Sequence, residues 1–138
     1  MSQAFGGWVL DQHALAAWAR VEPYAQSLVW SAMEVGMAVA VPVAALPLAY
    51  AATGESDHDV LRALLDLPVT LPDPLTETEA PELGRILASA ADPGALAPDA
   101  LALVCVVHSA RRRGWPVLTG NAVALRGLDP DLGMDELP

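Results

Sequence analysis

Short apolar runs alternate along the chain with longer segments in which apolar residues recur at helical spacing. The short runs predict strands at residues 8–10, 38–41, 69–71 and 117–118, and residues 134–137 are a candidate for a last edge strand. The segments between them predict helices at residues 13–20, 22–35, 43–52, 56–67, 76–91, 98–113 and 122–127. Strands separated by such helices predict right-handed crossovers and a parallel sheet covered on both faces. We therefore expect an α/β fold, a three-layer α/β/α sandwich with a small central parallel sheet of four to five strands.

Local signals predict where several helices begin and end. Ser56 is a candidate N-cap for the segment SDHDVLRALLDL. Thr76 and Glu79 have the spacing of a capping box, and Pro81 predicts that the regular helix starts late. Gly114 predicts the end of the longest helix.

The uncharged segment at residues 35–54 has roughly the length of a membrane span. Pro42 and Pro47 argue against one continuous helix, so we expect a strand followed by a helix and no membrane association. The opening MSQAFGGW has no basic or apolar leader region, and we expect no secretory signal. A length of 138 residues suits a single domain, 1–138.

Charge and cysteine content narrow the classes of partner. The formal net charge is −10, which repels phosphates, disfavours nucleic acid and suits a basic protein surface. Cys105 is the single cysteine and lies in an apolar run, so we expect a small buried side chain without a disulfide. A reducing, cytoplasmic location fits this composition.

Three polar residues follow or face the ends of predicted strands. Asp11 closes the first strand, Asn121 comes just after the strand at 117–118, and Asp99 lies near the start of the long helix. Ligands of parallel sheets bind outside the carboxyl ends of the strands. We therefore expect these three residues to approach one edge of the sheet.

In these segments the chain resembles the PIN domain family of metal-dependent nucleases, which includes the VapC-type toxins of bacterial toxin–antitoxin pairs. The resemblance runs through WVLDQHALAAWAR, VAVPVAALPLAYAA and VVHSARRRGWPVLTGNAVALRGLDPDL, almost the whole chain. It implies a PIN-like fold with four carboxylates around one or two Mg²⁺ or Mn²⁺ ions. Such hard ions prefer oxygen ligands, and they hydrolyse phosphodiesters by generating hydroxide and neutralising the leaving oxygen.

Two of the four family positions carry side chains with oxygen donors. The carboxylate that ends the first strand is present as Asp11, and His13 stands where a Ser, Thr or Asn usually supports it. The position after the last major strand is Asn121, an amide in place of a carboxylate. Both residues have a structural alternative, since each is also a natural N-cap for the helix that follows.

The other two positions are apolar. Alignment of the family pattern on Pro42 and Tyr50 places the second acidic position at Leu48, and counting back from Gly114 places the third at Leu103. Asp99 lies one turn before Leu103 and is a displaced substitute, about 6 Å away along the helix axis. As an alternative, the Asp99 carboxylate serves only the positive end of the helix dipole.

These substitutions predict a degenerate PIN-like domain of toxin–antitoxin ancestry, a non-catalytic protein-interaction or regulatory module without a cofactor. We expect self-association, as a homodimer, or an antitoxin-like partner. The alternative is a weakened Mg²⁺- or Mn²⁺-dependent ribonuclease that uses Asp11, Asp99 and Asn121, with the metal on Asp11 and Asp99. A third hypothesis is a small-molecule pocket in which Leu48 and Leu103 replace the metal site.

Overall fold

Five strands form one parallel sheet in the part of the chain that the structure, a computed structural model, describes: residues 6–90 and 97–138. The strands are β1 (Gly7–Leu10), β2 (Ala38–Pro42), β3 (Thr70–Asp73), β4 (Val117–Thr119) and β5 (Met134–Glu136). Their order across the sheet is β3-β2-β1-β4-β5, and each neighbouring pair is parallel. The predicted parallel sheet is therefore confirmed.

Seven α-helices accompany the strands within the described ranges. They are α1 (Gln12–Ala19), α2 (Pro23–Val35), α3 (Leu46–Ala51), α4 (Glu55–Leu65), α5 (Ala80–Ala88), α6 (Ala100–Arg113) and α7 (Ala122–Leu128). A 3-10 turn, Val43–Ala45, precedes α3. Two predictions fall partly outside the described residues: the absence of a secretory signal, which rests on residues 1–5, and the end of the helix predicted at 76–91.

The sheet separates two apolar cores, because successive side chains of a strand point to opposite faces. The core shared with α1, α2, α3 and α4 takes from the sheet Leu10, Val39, Val41 and Leu118. The core shared with α5, α6 and α7 takes from the sheet Val9, Ala40 and Val117. Helices thus cover both faces, which confirms the three-layer α/β/α sandwich.

The start of α4 differs from the prediction. Gly54 is the N-cap and Ser56 lies inside the first turn, so the prediction that Ser56 caps this helix is wrong. Glu55 and Asp57 lie in that first turn. Negative charges there are favourable beside the positive end of the helix dipole, and they stabilise an earlier start than Ser56 would give.

The late start of α5 and the end of α6 agree with the prediction. The Thr76 hydroxyl donates to Glu79 Oε1 at 2.9 Å and accepts from the Glu79 backbone N–H at 3.4 Å. Regular helix begins only at Ala80, next to Pro81. α6 ends at Gly114, whose φ of 70° is in the left-handed region that glycine adopts without strain.

The uncharged segment at residues 35–54 is divided among β2, the 3-10 turn and α3, as predicted. Over the residues that the structure describes, no helix is both long enough and apolar enough to cross a membrane.

Candidate functional site

The carboxyl ends of β1 and β4 lie side by side at one edge of the sheet. Leu10 pairs with Leu118 across these strands, and the Asp11 N–H donates to the Leu118 carbonyl at 3.2 Å. Asp11 is the N-cap of α1 and Asn121 is the N-cap of α7. The short turn after each strand therefore brings both predicted site residues to the same edge.

Asp11 is fully buried, and both of its carboxylate oxygens accept hydrogen bonds from the protein itself. Oδ1 accepts from the Ala14 N–H at 2.9 Å, and Oδ2 accepts from the Thr119 hydroxyl at 2.5 Å. Burial raises the pKa of the Asp11 carboxyl above its ordinary value of 3.8, although these hydrogen bonds oppose the shift. The side chain caps α1 and joins α1 to the end of β4.

Thr119 links Asp11 to Asn121. Its buried hydroxyl donates to Asp11 and accepts from the Asn121 N–H at 2.8 Å. The side-chain Oδ1 of Asn121 accepts a hydrogen bond from the Ala124 N–H at 3.3 Å. Asn121 therefore acts as the N-cap of α7, the structural alternative that its sequence position allowed. Thr119 was not among the predicted site residues, although its place at the end of a strand was the available signal.

Asp99 reaches the same edge through Gln12, a second residue that the sequence analysis did not identify. Gln12 Nε2 donates to Asp99 Oδ2 at 2.9 Å. The Gln12 side chain is only 5% exposed, and its Oε1 is buried without a hydrogen-bond partner. An unsatisfied buried acceptor costs about 1–3 kcal/mol, so this atom requires an explanation.

A pocket of about 460 Å³ opens beside these residues and is called the α1 pocket here. Its lining includes Gln12, His13, Leu48, Asp99 and Gly120. A Cβ atom at Gly120 would lie 2.6 Å from the His13 Cβ. Only glycine therefore allows the turn after β4 to pass this closely over the start of α1.

The two leucines at the family's acidic positions have different surroundings. Leu48 lines the α1 pocket and packs against the core shared with α1. Leu103 is 5% exposed and lies in the opposite core with Val9 and Ala40. The expectation that both leucines line one pocket is wrong for Leu103. The Leu103 side chain lies one turn inside α6 and packs onto the sheet, whereas Asp99 at the start of α6 lines the pocket.

The side chains at this edge do not fit the metal cluster that the resemblance implies. The Asp11 oxygens accept internal hydrogen bonds, and the Asn121 oxygen caps a helix. Throughout residues 6–90 and 97–138, no group of three or more His, Cys, Asp and Glu side chains is arranged to hold a metal ion. A hard divalent ion requires several converging oxygen ligands, and Leu48 supplies none at the second position.

The sheet order and the helices on both faces define a PIN-like α/β/α fold. A similar solved chain belongs to the crystal structure of VapBC2 from Rickettsia felis bound to a DNA fragment from their promoter. The match has a TM-score of 0.67 and 11% sequence identity, and it covers 94% of this chain and 97% of that chain. At this identity it shows the fold alone. No protein-family model matches the sequence, and no curated protein sequence matches it significantly.

Proposed function

We propose that this chain is a PIN-like domain of toxin–antitoxin ancestry that has lost the nuclease site and binds protein partners. The observation that carries the proposal is the state of Asp11, whose two oxygens are both engaged by donors of the chain itself. These hydrogen bonds hold the carboxylate in a structural role, and the adjoining pocket has Leu48 where the resemblance implies a second carboxylate, so too few oxygen ligands converge to bind a metal ion.

The structural neighbour supports a protein partner. That neighbour belongs to VapBC2 from Rickettsia felis, in a crystal structure bound to a DNA fragment from their promoter. A related role for this chain implies a protein partner of the antitoxin kind. The net charge of −10 argues against direct binding of nucleic acid by this chain.

The outer face of α2 is the best candidate for a protein interface. An open groove of about 440 Å³ lies along it and includes Val21, Trp30 and Glu34 in its lining. Val21 is 58% exposed and Trp30 is 47% exposed. Val21 also has a φ of 59°, which is strained for a β-branched residue. Exposed apolar side chains and backbone strain both lower stability, and contact with a partner would offset that loss.

We propose that a second copy of the chain occupies this groove. In a twofold dimer the same face serves both copies, so Trp30 of one copy would fill the groove of the other. Tryptophan is enriched at the centres of protein interfaces because it buries a large area with few rotatable bonds.

The first test addresses the nuclease site. Calorimetric titration of the wild type with Mn²⁺ should show no saturable binding at millimolar concentrations, and RNA incubated with the protein should not be cleaved in an EDTA-sensitive way. Asp11→Asn is the matched variant, because it keeps the size of the side chain. Saturable Mn²⁺ binding that Asp11→Asn abolishes, together with EDTA-sensitive cleavage, would contradict the proposal and establish the weakened ribonuclease.

The second test addresses self-association through α2. Sedimentation velocity should show a concentration-dependent dimer that Val21→Asn and Trp30→Gln weaken. Val21→Asn should also raise the free energy of unfolding by about 1 kcal/mol, because asparagine tolerates positive φ better than valine. Val123→Ser is the control, since Val123 is 79% exposed on α7. A wild type that stays monomeric, or a dimer that only Val123→Ser weakens, would rule out this interface.

A further inference from the structure

We infer that the α1 pocket binds a small primary amine, with an ammonium group at Asp99 and Gln12 and a short apolar body against α1 and α3. This inference does not depend on the loss of the nuclease or on the interface at α2. It rests on the unsatisfied Gln12 acceptor, the Asp99 carboxylate and the apolar wall of the pocket.

Gln12 and Asp99, at one end of the pocket, have unused hydrogen-bond acceptors. Asp99 accepts one hydrogen bond, from Gln12 Nε2 at 2.9 Å. Among the ion pairs of the described residues, none involves Asp99. Gln12 Oε1 is buried and receives no donor. A ligand that completes this end must therefore bring N–H groups and is favoured by positive charge.

The orientation of the Gln12 amide follows from the same contact. An ionised carboxylate only accepts hydrogen bonds, so Asp99 requires the NH₂ group of Gln12 and leaves Oε1 on the other side of the amide. The terminal torsion of glutamine has a broad, shallow energy profile, so the amide can turn Oε1 toward the pocket once an ammonium group replaces Nε2 as the donor to Asp99. An ammonium group has three N–H donors and can serve both Asp99 and Oε1.

The remaining wall of the pocket is apolar and small. It includes Ala16 and Ala17 of α1, with Leu48 and Ala52 at α3. A volume of about 460 Å³ is within the range of about 300–1,000 Å³ that small-molecule sites occupy. The wall therefore suits a short hydrocarbon or a single aromatic ring.

The one arginine in the lining does not counter the preference for a cation. Arg20 Nη2 donates to the Ala52 carbonyl at 2.5 Å, and Nη1 lies 3.9 Å from Glu22 Oε2. Arg20 offsets the charge of Glu22 in the lining, so Asp99 leaves these side chains with a net negative charge, and the whole chain carries −10. Carboxylates and phosphates are therefore repelled from this pocket.

The test uses three probes of nearly equal shape at pH 7: benzylamine as the cation, benzyl alcohol as the neutral control and benzoate as the anion. Amide chemical shifts of the ¹⁵N-labelled full chain report binding and its location. Benzylamine should saturate and shift residues of the α1 pocket, and benzyl alcohol should bind at least about tenfold more weakly because it lacks the charge-assisted hydrogen bonds. Equal affinity for benzylamine and benzyl alcohol, or shifts confined to another surface, would overturn the inference.

Two variants add an independent test on the protein side. Asp99→Asn should weaken benzylamine binding at least about tenfold and leave α6 folded, because the Asp99 side chain makes no capping hydrogen bond. Asp66→Asn removes the same charge at the exposed end of α4 and should leave binding unchanged. Leu48→Trp should block binding by filling the pocket. Unchanged affinity in Asp99→Asn would overturn the assignment of the ammonium position.

Discussion

Asp11 is the side chain at which β1, α1 and β4 meet, and its removal tests a structural role. Asp11→Ala leaves the Ala14 N–H and the Thr119 hydroxyl without their acceptor in a buried place. We expect Asp11→Ala to lower the free energy of unfolding by about 2–4 kcal/mol, and Asp11→Asn to lower it by less because an acceptor remains for Ala14. Urea denaturation at pH 7 measures both values. Equal losses in the two variants would show that the stabilisation comes from the carboxylate group and not from the capping hydrogen bond.

The raised pKa of Asp11 predicts a pH dependence of opposite sign to that of an ordinary ion-paired aspartate. The unfolded carboxyl loses its proton near 3.8, whereas the folded carboxyl keeps it to a higher pH because of burial. The contribution of Asp11 to stability is therefore fully present below pH 3.8 and falls as the pH rises through the folded pKa.

The difference in unfolding free energy between the wild type and Asp11→Asn isolates this effect. The unfolding free energy of the wild type should exceed that of Asp11→Asn by more at pH 3 than at pH 7. Urea titrations at several pH values measure both. A difference that instead grows toward neutral pH would mean that the charged form of Asp11 is stabilised in the folded protein.

The capping role of Asn121 could be predicted from its place between a strand and a helix, and the same is true of Asp11. The partner of Gln12 could not be predicted, because Asp99 is 87 positions away in the chain and only the tertiary packing that places the start of α6 beside the start of α1 at one sheet edge brings the two together. The unsatisfied Oε1 is a property of that packing. Local sequence signals carry no information about it.

Among the elements, α6 shows where helical spacing was informative and where it was not. Its length and its end at Gly114 could be predicted, because the apolar period and the glycine are local signals. The side that Leu103 faces could not be predicted, because every residue from Ala102 to Val107 is buried. A helix that is apolar all round does not indicate which of its faces meets the pocket.

Asp73 at the end of β3 connects this edge strand to α6. Its Oδ2 accepts from the Ser109 hydroxyl at 2.6 Å and from Arg112 Nη2 at 2.8 Å, and Arg113 Nη2 lies 3.5 Å away. Burial alone would raise the pKa of Asp73, but the hydrogen bonds from Ser109 and Arg112 outweigh it and lower the pKa below 3.8.

We expect Asp73→Asn to lower the free energy of unfolding by about 1–2 kcal/mol at pH 7, since charge-assisted hydrogen bonds are lost. A lowered folded pKa means that this contribution is present above pH 3.8 and lost as the pH falls through the folded value. The loss of unfolding free energy caused by Asp73→Asn should therefore become smaller in acid, whereas the difference between the wild type and Asp11→Asn should become larger. Asp66→Asn, at an exposed position, is the control. A loss of unfolding free energy from Asp73→Asn that stays constant down to pH 2 would exclude the ionic contribution.

At the scale of the molecule, the alternation of strands and helices was sufficient to predict the layers and the parallel pairing. The strand order β3-β2-β1-β4-β5 could not be predicted from this alternation, because nothing in the residues of β4 alone specifies that it pairs with β1 and not with β3. Gly7 is one physical determinant of that order. A Cβ there would lie 2.1 Å from the Ala38 carbonyl oxygen, so β1 and β2 can approach only with glycine at this position.

The net charge of the whole molecule predicts how the proposed dimer responds to salt. Two copies that each carry −10 repel one another at long range. Screening shortens the range of that repulsion from about 30 Å at 0.01 M ionic strength to about 10 Å at 0.1 M. The apolar contacts of Val21 and Trp30 are not screened, so the dissociation constant of the dimer should fall, by about threefold or more, between 0.02 and 0.3 M NaCl.

Sedimentation equilibrium at the two salt concentrations measures this change, and Glu34→Gln provides its control. Glu34 lines the α2 groove, so a twofold dimer brings two copies of this charge to one interface. The variant should associate more tightly than the wild type at 0.02 M NaCl and equally at 0.3 M, because screening has then already removed the repulsion. A dimer that weakens with added salt would mean that ion pairs hold the interface, and the apolar face of α2 would then not be the contact.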